Sequence, residues 1–240
     1  MNIVVYTLSW NEEFMMPFFL KHYSKYASKI VVIDNESTDS TQEIVKSFNN
    51  TELRIRSSNN QINEQHHIDI KNNIYKESRG KADWVIVCDV DEFLYHPNFI
   101  KKLEQYKKTG INYPKVKGFE MMPNCEISSE DDLCEKYQMG ARFKNFDKRA
   151  IFDPNLDMEF CAGCHRAKTP MNAHESAMPD IRMMHYKMLN LNYFINRNQL
   201  LGTRLSDLNK KMGWSLHYTL SKEEMTKTYN DFLSKIEKVI

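Results

Sequence analysis

The sequence predicts an α/β fold, a mostly parallel central sheet flanked by helices, with an irregular second half. Three observations predict it. Apolar runs of strand length, rich in β-branched residues, recur at Ile3–Leu8, Ile30–Ile33 and Trp84–Cys88, as strands covered on both faces do. Segments with helical spacing separate them, and that alternation builds a parallel sheet between two layers of helices. The 240 residues suffice for one sizeable domain with its own core, and would be cramped as two.

Taken in order, Ile3–Leu8 opens the chain as a strand. Pro17 then stands where a first helical turn begins, ahead of Phe18, Phe19, His22, Tyr23 and Tyr26. The strand Ile30–Ile33 ends in Asp34-Asn35-Glu36-Ser37-Thr38-Asp39, rich in turn and capping residues. Ser40 and Glu43 have capping-box spacing before Ile44, Val45 and Phe48. A short strand is expected around Leu53–Arg56, and a helix over Ile62–Ser78 stopped by Gly80. Trp84–Cys88 is the most apolar strand of the chain. Beyond it, Asn98–Lys108 reads as a helix closed near Gly110, and Lys115–Met122 as a strand. Between Pro123 and Ala177 the periodicity breaks into loops, and Met188–Leu208 reads as helix again. Ser221 and Glu224 repeat the capping-box spacing ahead of an apolar stripe, Met225, Tyr229, Phe232 and Ile236, expected to pack on the domain.

A formal net charge of +1 provides no global field for nucleic acid or an acidic membrane surface. No stretch reaches the ~20 apolar residues of a membrane span. The N-terminus lacks the basic start and longer apolar region of a signal peptide. Five cysteines at irregular spacing form no disulfide framework, since one is left over. The reading is a cytoplasmic protein, peripheral at a membrane if it meets one.

Ligands of such sheets bind beyond the carboxyl ends of the strands. That rule gathers Thr7–Glu12, Asp34–Asp39 and Asp89–Glu92 along one edge. Asp89, Asp91 and Glu92 crowd the end of a buried strand, where like charges need a compensating cation. If the chain stays extended, Asp89 and Asp91 face similar sides. Together they could hold Mg²⁺ or Mn²⁺, which would neutralise a diphosphate leaving group. Asp-x-Asp alone is equally a solvated acidic loop; its position after the apolar strand favours the metal.

The chain resembles glycosyltransferases of the GT-A fold, a Rossmann-like architecture, and is similar to family 2 and related bacterial and viral glycan-building enzymes. The resemblance rests on Tyr6-Thr7-Leu8-Ser9-Trp10-Asn11-Glu12, on Ile33-Asp34-Asn35-Glu36-Ser37-Thr38-Asp39-Ser40-Thr41, and on Ala82 to Leu94 around Asp89-Val90-Asp91. It continues more loosely through Gly163-Cys164-His165, His185-Tyr186-Lys187, Arg204-Leu205-Ser206 and Gly213-Trp214. It implies a single domain over 1–240, with a nucleotide-sugar-binding half at 1–110 and an acceptor-side half at 111–240. It further implies that Thr7, Leu8 and Asn11 line the nucleotide pocket and that Asp34 contacts the base. Asp89 and Asp91 would take the ribose and metal roles, His185 would complete the metal site or meet phosphate, and Lys187 would lie near the diphosphate. His165 would sit on a loop facing the sugar. The second loop departs from the commoner Asp-Asp-Gly-Ser form, which puts its individual contacts in doubt.

Cys161-Ala162-Gly163-Cys164-His165 matches the pattern of covalent haem attachment, but no export signal accompanies it. Zinc is also disfavoured, because no second paired cluster closes a tetrahedron. Transfer to a hydroxyl with inversion, the family's tendency, requires a general base. Glu120, Asp157, Glu159 and Asp180 are candidates, with Glu120 and Asp157 preferred. The expected activity is therefore metal-dependent transfer from a nucleoside-diphosphate sugar, of UDP type, to a glycan or other hydroxyl acceptor. A sugar-1-phosphate nucleotidyltransferase is the alternative, though no glycine-rich phosphate loop follows the first strand. A non-catalytic nucleotide- or glycan-binding module is a third reading.

Overall fold

A computed structural model describes residues 1–240. Its first part alternates β1 (Ile3–Ser9), α1 (Met16–Tyr23), β2 (Lys29–Asp34), α2 (Thr41–Lys46), β3 (Thr51–Ile55), α3 (Glu64–Ile74) and β4 (Trp84–Val87). Then follow β5 (Glu92–Tyr95), α4 (Phe99–Lys108), β6 (Val116–Met121), α5 (Leu133–Lys136), β7 (Met139–Arg142), β8 (Ile151–Phe152), β9 (Glu159–Phe160) and β10 (Ala167–Lys168). The chain ends with β11 (Ile181–His185), α6 (Leu191–Gly202), α7 (Asp207–Met212), α8 (Lys222–Leu233) and β12 (Glu237–Lys238).

The first sheet has the order β3-β2-β1-β4-β8, parallel except for β8. Nearly every residue of β1, β2 and β4 is buried, as their continuous apolar runs require. A second sheet, β12-β7-β6-β11-β5, is mixed, with β11 parallel to β6 and antiparallel to β5. A cluster of 36 buried apolar residues runs from Ile3 and Val5 to Phe119 and Met183, so neither sheet can be removed without opening the core of the other.

Several local expectations need correction. Ser40 caps α2 without any side-chain bond. The helix expected over Ile62–Ser78 begins at Glu64, where the Asn63 side chain caps it, and its last turn tightens to a 3-10 helix. The helix expected over Met188–Leu208 is broken in two. Ile62 N donates to Arg204 O at 2.7 Å, and Ser206 N to Ile62 O at 3.1 Å, which pulls Arg204–Ser206 out of helical geometry. At Ser221 the capping box is complete. Behind it Met225 and Tyr229 are buried with Met122, Met188, Phe194 and Ile195, so the apolar stripe packs inward.

Candidate active site

A cleft of about 490 Å³ opens at the carboxyl ends of β1, β2 and β4. Leu8 and Ser9 line it from the end of β1, Trp10 and Glu12 just beyond, Asn35 after β2, and Asp89–Glu92 after β4. The second half contributes Glu120, Phe146, Lys148, His165, His185, Lys187 and the inner face of α6.

The Asp-x-Asp segment is the link between the two sheets. Glu92 N donates to Asp89 O at 3.1 Å, so the chain turns at Val90–Asp91 and re-enters as β5. The two aspartates therefore part company, contrary to an extended chain. Asp89 receives Lys71 Nζ at 2.6 Å and Lys148 Nζ at 3.1 Å, one on each carboxylate oxygen. Burial opposes its ionisation, but Lys148 and Lys71 outweigh burial and hold the carboxyl well below the usual range. Lys148 also pairs with Glu92.

Asp91 turns to His185 instead, with Nε2 to Oδ2 at 3.2 Å. Register explains the neighbours of His185: β11 lies between β5 and β6, and His185 stands opposite both Glu92 and Glu120. His185 Nδ1 donates to Glu120 Oε2 at 2.8 Å, and the other Glu120 oxygen accepts from Met188 N at 3.2 Å. Burial would lower the imidazole pKa, yet Glu120 and Asp91 raise it to about 10. Asp91 is brought down to about 2, His185 prevailing over burial. Ligand atoms of Asp91, Glu92 and His185 lie within 4.8 Å of one another, a group that could hold a metal ion.

At the back of the cleft, Arg197 on α6 pairs with Glu12 and donates to the carbonyls of Trp10 at 2.9 Å and Asn11 at 3.0 Å. Burial pushes Glu12 up to about 7 despite Arg197. Lys187 Nζ lies 4.3 Å from the centre of the Tyr218 ring. His165 Nδ1 meets Asn145 O at 3.0 Å, and burial followed by Lys148 lowers its pKa to about 4.

The residues expected at the site thus divide. Leu8, Asp89, Asp91, Glu120, His165, His185 and Lys187 line the cleft. Thr7 is fully buried, its hydroxyl turned to Leu8 O at 3.4 Å, and does not line it. Asn11 joins the first loop to the second, its Oδ1 accepting from Thr38 N at 2.8 Å. Asp34 is buried and accepts from Ser9 Oγ, Ser37 N, Ser37 Oγ and Gln42 Nε2, which fills its carboxylate. Asn35 occupies the lining position instead. Asp157 is outside the cleft, its side chain 72% exposed and paired with Arg79 at 2.6 Å.

Lys71, Lys148 and Arg197 are charged groups that sequence reasoning missed, while Glu12 was placed at the edge without a role. For Lys71 a signal existed. Glu64, His67 and Lys71 are spaced three and four apart, one face of α3, and all three line the cleft. Lys148, in a loop without periodicity, offered none.

The family model described as Glycosyl transferase family 2 matches residues 8–168. Among solved structures, residues 1–349 of S. aureus TarS with UDP-GlcNAc are 13% identical, at a TM-score of 0.51 over 98% of this chain and 72% of that one. The same fragment with UDP is 15% identical, at 0.50 over 97% of this chain and 71% of that one. Of a longer TarS structure the chain spans 43%. M. tuberculosis glucosyl-3-phosphoglycerate synthase with Mn²⁺, UDP and phosphoglyceric acid is 21% identical over 49% of this chain and 43% of that one, with a TM-score of 0.33. The two likenesses to the TarS fragment at TM-scores of 0.50 and 0.51 speak to the fold alone. No curated protein matches in sequence. The family match takes in about two thirds of the residues, including both loops and the Asp89–Asp91 turn, and on that ground the chain belongs to glycosyltransferase family 2 and is a glycosyltransferase.

Proposed function

We propose that the protein transfers a sugar from a nucleoside-diphosphate donor of the UDP type to a hydroxyl of a glycan or glycoconjugate, with inversion and with a divalent ion at Asp91 and His185. The observation that carries this reading is the rung Glu120–His185–Glu92 facing Asp91 at the end of β4. Its chemistry suits such an ion. Two carboxylates and an imidazole nitrogen converge, and the other imidazole nitrogen is fixed by Glu120, the usual arrangement behind a metal-binding histidine. An imidazole in the set favours Mn²⁺ over Mg²⁺. When bound, the ion supplies charge neutralisation for the departing diphosphate.

The protein's own side chains share that work. Lys71 and Lys148 place two buried ammonium groups beside the turn, and Lys187 lines the same cleft. Glu120, with both oxygens engaged, acts here as the residue that orients His185 rather than as the base. Support for a nucleotide-sugar donor also comes from the TarS structures, which hold UDP and UDP-GlcNAc. Inversion rests on the family resemblance.

The test is calorimetry of UDP binding with and without Mn²⁺, followed by product analysis with UDP-sugars. Mn²⁺-dependent binding and release of a nucleoside diphosphate are expected. Release of pyrophosphate from a nucleoside triphosphate and a sugar phosphate would assign the alternative nucleotidyl transfer instead.

A further inference from the structure

Transfer to a hydroxyl requires a group to take its proton, and each carboxylate of the cleft already serves a partner. Glu12 pairs with Arg197, Asp89 with two lysines, and Glu120 with His185 and Met188 N. Glu92 pairs with Lys148 and accepts from Asp89 N at 3.1 Å. Glu64 Oε1 accepts from Ser215 Oγ at 2.6 Å, and its Oε2 from Gly163 N at 3.1 Å. Asp91 is the ion's ligand in the reading above. Outside the cleft, Asp157, Glu159 and Asp180 pair with Arg79, Lys168 and Lys102. Three imidazoles besides His185 line the cleft, those of His67, His165 and His217.

Of the three, only His165 has its tautomer set. A carbonyl only accepts, so the bond of 3.0 Å to Asn145 O fixes the proton on His165 Nδ1. Nε2 then carries the lone pair; it makes no hydrogen bond and is not sealed inside the protein. Gly163 gives the ring its seat. At φ +71° it is left-handed, and a Cβ there would stand 2.9 Å from His165 Cδ2. The loop that offers Asn145 O also brings Lys148 to Asp89 and Glu92. Within it, Phe146 packs on both His165 and His185, with ring centroids 5.5 and 4.1 Å away. One aromatic ring thus spaces His165 from the histidine of the carboxylate cluster. Burial and then Lys148 lower the His165 pKa to about 4, against Asp89. The ring is therefore neutral at neutral pH and about as basic as an ordinary carboxylate.

We propose that His165 is the general base of the transfer and takes the proton of the acceptor hydroxyl on Nε2. The inference rests on the transferase reading above. As the acceptor oxygen bonds to the anomeric carbon, its proton passes to Nε2. The bond from that carbon to the diphosphate breaks, and its electron pair leaves with the diphosphate. The imidazolium, still held through Nδ1–H by Asn145 O, then returns the proton to solvent.

The test follows UDP release from UDP-glucose, UDP-galactose and UDP-GlcNAc with Mn²⁺, water serving as the acceptor, in the unaltered full chain and in His165→Ala. The change should lower kcat by about 10²- to 10⁴-fold, while calorimetry shows unchanged affinity for UDP with Mn²⁺. Added imidazole should restore turnover as its concentration rises, which a merely structural role would not allow. His165→Gln, closer in size, should show the same loss, and it replaces the alanine variant if a melting curve shows that variant unfolded. Full turnover in either folded variant would overturn the proposal. So would a loss in folded His165→Ala that imidazole leaves untouched, or UDP binding by the unaltered protein with none of the three sugars released. If UDP does not bind at all, the donor-site reading itself fails and takes the base with it.

Discussion

Residues 1–110 and 111–240 contribute to the same cleft in different ways. The first part brings the carboxylates of Asp89, Asp91 and Glu92 on the shortest path, from the end of a buried strand straight into the turn between the sheets. The second part brings most of the groups that decide what each carboxylate does. Lys148 joins Lys71 at Asp89, while His185, backed by Glu120, takes Asp91. Two aspartates separated by one residue thereby acquire opposite partners, two ammonium groups against an imidazole. The lesson is that a short acidic motif marks a location, and that a distant strand assigns its parts.

The division between Asp89 and Asp91 can be broken by substitution. Asp91→Ala should reduce turnover by about 10³-fold, ~4 kcal/mol of transition-state stabilisation, read as release of nucleoside diphosphate. Asp89→Asn should cost less, and a larger loss there than at Asp91 would reverse the assignment. Next in size is Lys148→Met. Glu92, 1% exposed, would lose its buried cation, and folding stability should fall by about 3–5 kcal/mol in denaturant melts. The loss should depend on pH in a definite direction. Burial already holds the Glu92 carboxyl above its ordinary pKa, against Lys148. Without Lys148 that pKa rises further, so a proton relieves the buried charge more readily as pH falls, and the penalty should be larger at pH 8 than at pH 5. Equal losses at both pH values would mean that Glu92 finds another cation.

The same contrast explains what could be read in advance. Ile30–Ile33 and Trp84–Val87 are continuous apolar runs, and burial on both faces is the only setting that suits them, so the parallel sheet was legible. The segments Glu92–Tyr95 and Ile181–His185 are four and five residues long, and one is rich in methionine, which has no strand signature. Missing those strands meant missing the rung on which Glu92, His185 and Glu120 meet. Asp34 shows the reverse failure. Its motif was visible, but Ser37 and Gln42 from its own loop and Ser9 from the neighbouring strand use up its oxygens. Asp157 lay in a stretch with no periodicity, where a carboxylate has no address.

Smaller effects sharpen the role of the distant strand. Glu120→Gln keeps an acceptor for His185 Nδ1 but removes one of the two charges that raise its pKa to about 10. Mn²⁺ affinity at neutral pH should weaken by about 10- to 100-fold in calorimetry, the usual scale for a residue behind a metal ligand. An ion must displace the proton shared by His185 and Asp91, so affinity in the unaltered protein should climb as pH rises toward 10, with a proton released on binding. Affinity independent of pH between 6 and 9 would remove His185 from the ligand set.

The smallest expected effect compares one pattern in two places. Ser40 with Glu43 and Ser221 with Glu224 have identical capping-box spacing. At α8 the box closes: Glu224 N donates to Ser221 Oγ at 3.2 Å, and Ser221 N to Glu224 Oε2 at 2.8 Å. At α2 the loops after β1 and β2 take over. Thr41 N donates to Asp39 Oδ1 at 3.0 Å, Glu12 N donates to Thr41 Oγ1 at 2.7 Å, and Ser40 has no side-chain cap bond. Ser221→Ala should therefore cost about 1 kcal/mol in thermal or denaturant melts, and Ser40→Ala only a few tenths. Equal costs would show that Ser40 closes its box in solution. That closure would disturb the contacts between the loop of Asn11 and the loop of Asp39, so the second change should then also disturb ligand binding at the end of β1.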